Sequence, residues 1–90
     1  MNRSGRFGQR LAGLLDLPRH LVMNVPYIAI TGGAQVVVEN HRGLRHCYPD
    51  RIVVGATGGQ VTIRGEDLVV AVVTKDELMV CGRIREVTLE

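Results

Sequence analysis

Ninety residues are enough for one domain with a modest core, and too few for two cores with a deep cleft between them. Apolar residues make up 46% of the chain, yet there is no Trp, one Phe and two Tyr, so the core must be built from Val, Ile and Leu. A net charge of +2 excludes binding to nucleic acid by bulk charge alone, and no apolar run reaches the roughly 18 residues that a membrane-crossing helix needs.

Charge is distributed unevenly. Residues 1–20 hold four arginines (Arg3, Arg6, Arg10, Arg19) against Asp16, a balance of +3, while the rest of the chain balances at −1. Residues 1–18 read as a basic amphipathic segment and residues 19–90 as a single all-β domain. Within the first segment the spacing of Phe7, Leu11, Leu14 and Leu15 predicts a helix over 6–16 with one apolar face. Ser4 is placed to cap it and Pro18 to stop it. Gly8 and Gly13 each weaken it by about 1 kcal/mol relative to Ala, so it needs a surface to lie on. Three surfaces fit: its own sheet, a partner protein, or anionic lipid, the last a weak peripheral contact for so few arginines. The candidate contact residues are Arg3, Arg6, Phe7, Arg10, Leu11 and Leu14. The segment has no continuous apolar stretch of the secretory kind. Two cysteines, Cys47 and Cys81, then point to a reducing compartment.

From residue 20 the period changes to two. Short apolar stretches at 20–25, 27–31, 34–39, 44–47, 51–54, 60–64, 68–73, 78–81 and 86–89 alternate with turn signals at Gly32-Gly33, 40–43, Pro49 and Gly58-Gly59. The expectation is seven to eight short strands in a meander, small sandwich or barrel. A second reading comes from an internal repeat. Residues 30–38, 63–71 and 80–88 align without gaps, each with a glycine (Gly32, Gly65, Gly82) two residues after an apolar strand position. Units of 16–17 residues can stack as rungs of a short β-solenoid. In either fold Gly32, Gly43, Gly59, Gly65 and Gly82 are expected as turn glycines, supplying a positive φ or a close backbone approach.

Groups able to carry chemistry are few. His41, His46, Cys47 and Cys81 could be imagined around a metal, but His-x4-His-Cys matches no common zinc spacing and there is no Cys-x-x-Cys. His46 and Cys47 are strand neighbours and point to opposite faces, which argues against a nucleophile pair. No glycine pair is followed by the Lys-Ser/Thr of a phosphate loop. Arg42, Arg45, Arg51 and Tyr48 make only a thin basic–aromatic set, so no nucleic acid is expected as a partner. The expectation is a non-enzymatic protein with no cofactor and no metal, leaving a thiol or metal enzyme as the remote alternative.

Four segments carry a family resemblance. The stretch 15–32, with its Leu-Pro step, second proline and strand ending in Gly32, resembles the amino-terminal half of the YqfC branch of the YabP/YqfC family. Residues 36–43 resemble the family's hydrophobic-Glu-Asn-His-x-Gly motif, here Glu39, Asn40, His41 and Gly43. Residues 59–68 and 78–89 are similar to segments shared by both branches. The resemblance implies a sporulation role in the mother-cell cytoplasm, peripheral to the forespore membrane, with no catalytic residue to carry over. It also implies a membrane-associated partner resembling YqfD, the larger sporulation protein encoded beside YqfC-like chains. The function expected is assembly or scaffolding at the forespore envelope, with homo-oligomers through sheet edges as a further expectation and a peripheral membrane adaptor as the alternative.

Overall fold

The computed structural model describes residues 25–90. The helix expected over 6–16, the apolar stretch before Val25 and the contact residues Arg3, Arg6, Phe7, Arg10, Leu11 and Leu14 lie outside these residues.

Six strands follow one another: β1 (Tyr27–Thr31), β2 (Gln35–Glu39), β3 (Leu44–Tyr48), β4 (Arg51–Ala56), β5 (Gly59–Val73) and β6 (Glu77–Leu89). They form one sheet in the order β1-β2-β6-β5-β4-β3, and every ladder is antiparallel. Stacked solenoid rungs would pair in parallel, so the solenoid reading is overturned. The expected strand count is corrected as well. Residues 60–64 and 68–73 belong to the single 15-residue strand β5, and 78–81 and 86–89 to the 13-residue strand β6.

The long β5–β6 hairpin organises the molecule. The start of β5 pairs with β4, and the start of β6 pairs with β2. Because the two strands run antiparallel, these flanking hairpins attach at opposite ends of the ribbon. The ribbon bends between them, where the register slips at Gly65 and again between Glu66 and Val69. Bending brings the two halves face to face. Val36 and Val38 of β2 share one core with Ile52 and Val54 of β4, Val61 and Ile63 of β5, and Leu78 and Val80 of β6. All eight are fully buried, and each stabilises the fold by about 1.5–3 kcal/mol relative to exposure.

Gly65 and Gly82 therefore sit inside strands, at the bend, and not in turns. At Gly65 a Cβ would run into the carbonyl oxygen of Arg83. At Gly82 φ is +143°, and a Cβ would lie 2.7 Å from Asp67 O and 3.0 Å from Leu68 Cα. The bend is held from both sides by the turns of the flanking hairpins. Gly65 N–H donates to Asp50 O (3.1 Å) and Leu68 N–H to Pro49 O (2.8 Å). On the other side Gly82 N–H donates to Ala34 O (3.1 Å) and Ile84 N–H to Gly33 O (2.7 Å). Gly32 and Gly43 lie in connections with positive φ; Gly59 opens β5, directly after Gly58, whose φ is +82°.

Candidate interaction surfaces

The residues of the Glu-Asn-His motif sit where β2 ends and the chain crosses to β3. Asn40 takes φ +64°, its N–H donates to Asp76 O (2.7 Å), and its Nδ2 donates to Val25 O (2.9 Å). His41 Nδ1 accepts the N–H of Gly43 (2.9 Å), and Nε2 lies 2.8 Å from Thr74 O. A carbonyl opposite one ring nitrogen and an N–H opposite the other select the neutral tautomer protonated at Nε2. The motif thus clasps three pieces of chain: the entry at Val25, the crossover 40–43, and the β5–β6 turn.

Glu39 stands directly opposite Glu77 in the β2–β6 ladder, with Asp76 beside it. Partial burial, then the charges of Glu77 and Asp76, push its carboxyl up from 4.5 to about 7, and its Oε2 is enclosed without a hydrogen-bond partner among the described residues. A carboxyl raised in the folded state contributes its stability below 4.5 and loses it as pH climbs through 7. Solvent screening at this half-buried site limits the effect to about 1 kcal/mol. Glu39→Gln is therefore expected to stabilise the protein by about 1 kcal/mol at pH 8 and to have little effect at pH 5. Urea denaturation at the two pH values measures this, and an equal effect at both would remove the carboxyl from the account.

The sheet has four open edges, and they differ in chemistry; one is the second half of β6, where residues 85–89 pair with β5 alone and carry the charges of Arg85 and Glu86. On β3, Arg45, His46 and Tyr48 interrupt any apolar run, and the register slips between Leu44 and His46. His46 stacks on Tyr48 at 6.2 Å, and the Arg51 guanidinium lies 5.7 Å from the Tyr48 ring centroid. Of the other basic residues, Arg42 Nε donates to Thr57 Oγ1 and Arg45 Nη1 to Gln60 Oε1, both at 3.2 Å. Charge and irregularity of this kind blunt an edge against pairing. The edge of β1 lies next to the entry of residues 1–24. The fourth edge is the second half of β5. Residues 69–73 pair with β6 on one side, while β4 reaches only as far as Arg64. Val69-Val-Ala-Val-Val73 contains no charge and no proline, and Val69 and Val73 are 56% and 55% exposed. Among the described residues nothing pairs with the outer side of this stretch.

Beyond the edges, a cleft of about 320 Å³ opens where the two halves of the sheet part, lined mainly by Val25, Pro26, Ile28, Ala56 and Leu89. Its carboxylate, Glu90, is held below the usual range by the hydroxyl of Thr62 and then by Gln60. The residues weighed for chemistry are not gathered. Cys47 is an exposed free thiol on β3, and Cys81 a half-buried free thiol on β6. Among the described residues no three His, Cys, Asp or Glu side chains are placed to hold a metal, and none of the helices is long and apolar enough to cross a membrane.

The fold and these surfaces define a small all-β domain made of one bent antiparallel sheet. The chain belongs to the YabP family, whose family model matches residues 24–90. It is also similar to the uncharacterized protein YqfC of Bacillus subtilis (strain 168), with 28% identity over 82 residues that cover 91% of this chain and 88% of that protein. No solved structure matches it.

The β5 edge was missed in the sequence, although a signal for it was present. Leu68–Val73 is the longest apolar run among the strands of the sheet, but a run of that kind looks the same whether one or both of its sides are paired.

Proposed function

We propose that this chain is a non-enzymatic assembly component of sporulation, acting at the forespore envelope in the mother cell, with the open half of β5 as its docking edge. One observation carries the reading: five consecutive apolar residues, 69–73, whose backbone is paired on one side only. Such an edge recruits an extended segment of a partner by completing the ladder, with backbone bonds giving affinity and the exposed valines giving selectivity. Membership of the YabP family and the likeness to YqfC support the sporulation setting. The partner of choice is a membrane-associated sporulation protein resembling YqfD, which would bring this chain to the membrane surface. The test is affinity capture from sporulating cells with the wild-type chain and with Val69→Lys/Val73→Lys. Both valines are more than half exposed, so the fold tolerates lysine there. The partner band is expected to fall by about tenfold or more, as like charges and desolvated ammonium groups meet the incoming strand. Undiminished capture with a native circular dichroism spectrum would remove β5 from the proposal.

A further inference from the structure

Directly opposed residues of an antiparallel ladder share a face. Val36, Val38, Leu78 and Val80 are buried in the core, so Val37 and Met79 between them face the other way. Their ladder partners Ala29 on β1 and Val72 on β5 do the same. An apolar row, Ala29-Val37-Met79-Val72, thus crosses four strands on the side away from the core. The next row holds Thr31, Gln35, Cys81 and Val69, with Gln35 Nε2 donating to Met79 Sδ at 3.0 Å. An antiparallel sheet with one solvated face alternates apolar and polar residues. Here the alternation fails, because the outward position in the middle of β2 is Val37. Glu39 and Glu77 bound this apolar strip on one side and Thr31 and Gln35 on the other, so it is about as wide as one helix.

We propose that the chain's own amino-terminal segment covers this outer face, with the Phe7, Leu11, Leu14 and Leu15 side of the helix expected over 6–16 lying against Ala29, Val37, Met79 and Cys81. Twenty-four residues precede Val25, and Val25 stands two residues before β1, the first strand of this very half of the sheet. Ten residues from Leu15 to Val25 span up to about 33 Å, ample for a face four strands, or about 14 Å, wide. A helix of eleven residues is about 16 Å long, matching that width. Charge favours the same placement at long range. The segment carries +3, and one end of the face is rimmed by Glu39, Asp76 and Glu77, which make no ion pair among the described residues. The inference is independent of the β5 edge. It makes the leucines part of the domain's second layer.

Cys81 lies on the proposed contact face, so the full-length chain supplies its own probe. In a Cys47→Ser background, Leu11→Cys or Leu14→Cys is expected to form an intramolecular disulfide with Cys81 under mild oxidation, with a yield independent of protein concentration. Gln9→Cys, on the opposite side of the helix, is expected to give at least tenfold less. Three results would each overturn the proposal: equal yields from positions 9, 11 and 14; disulfides only between chains, which would make the occupant a second copy; or loss of the intramolecular product on adding phosphatidylglycerol vesicles, which would make it lipid. A second readout needs no new cysteine. Leu11→Asp/Leu14→Asp is expected to raise the rate at which a thiol reagent labels Cys81 by about tenfold, and an unchanged rate contradicts the covering.

Discussion

Replacing Gly65 with alanine is expected to leave the domain largely unfolded at 25 °C. The added methyl would run into Arg83 O and stand 2.9 Å from Arg83 C and 3.2 Å from Leu68 Cδ2. The first two atoms are backbone and cannot swing aside as a side chain does. Relief requires β5 and β6 to separate at the one place where the ribbon bends. That movement would cost the bonds from Gly65 to Asp50 and from Leu68 to Pro49, and would lift Leu68, 4% exposed, from the core. Two backbone bonds at about 1 kcal/mol each and a partly withdrawn leucine sum to roughly 4 kcal/mol or more. A domain of this size holds only about 5 kcal/mol in total. Gly33→Ala provides the control, because a Cβ there meets only Ile84 O at an ordinary 3.5 Å. Urea denaturation followed by circular dichroism is expected to show a near-native midpoint for Gly33→Ala and no folded baseline for Gly65→Ala. A cooperative Gly65→Ala protein within about 1 kcal/mol of wild type would mean that the bend is not a tight contact.

That bend also marks where the sequence stops being readable. The strand positions follow from their alternation and from the Val and Ile content, although β5 and β6 each read as two short strands, and the turns at 32–34, 49–50 and 57–58 follow from Gly, Pro and Asp. A glycine that bends a strand and a glycine that ends one look alike in a single sequence. What separates them is distant: the carbonyls of Pro49 and Asp50 on one side and of Gly33 and Ala34 on the other, which capture the N–H groups at the bend. The apparent repeat has the same origin. Gly32 closes a hairpin turn, whereas Gly65 and Gly82 relieve crowding on the two strands of one bent ribbon, so three similar segments serve two different geometries. The open edge of β5 was hidden for a related reason, since pairing partners are set by where β4 ends and not by the run Leu68–Val73 itself. The Glu-Asn-His motif was visible only through family resemblance, and its physical role emerges from partners 33 residues away in the case of His41 and Thr74.

His41→Ala is expected to lower stability by about 2 kcal/mol while leaving partner capture intact in the surviving folded protein. The ring closes two contacts that no other side chain could close together. Nε2–H reaches Thr74 O at 2.8 Å in the β5–β6 turn, and Nδ1 takes the Gly43 N–H at 2.9 Å within the crossover. Removing it frees both backbone groups at once and loosens the chain as it leaves β2 for the far side of the sheet. Asn40 and Gly43, with φ of +64° and +103°, hold a conformation that most residues resist, so the crossover depends on such anchors to offset its strain. Asparagine at position 41 can restore only one of the two bonds, which places His41→Asn between wild type and alanine, near a 1 kcal/mol loss. Chemical denaturation gives the ranking, and amide exchange at Gly43 localises it. A different pattern, in which His41→Ala keeps full stability but loses its partner, would turn the histidine from a clasp into a contact. The motif would then belong to the binding surface and not to the scaffold.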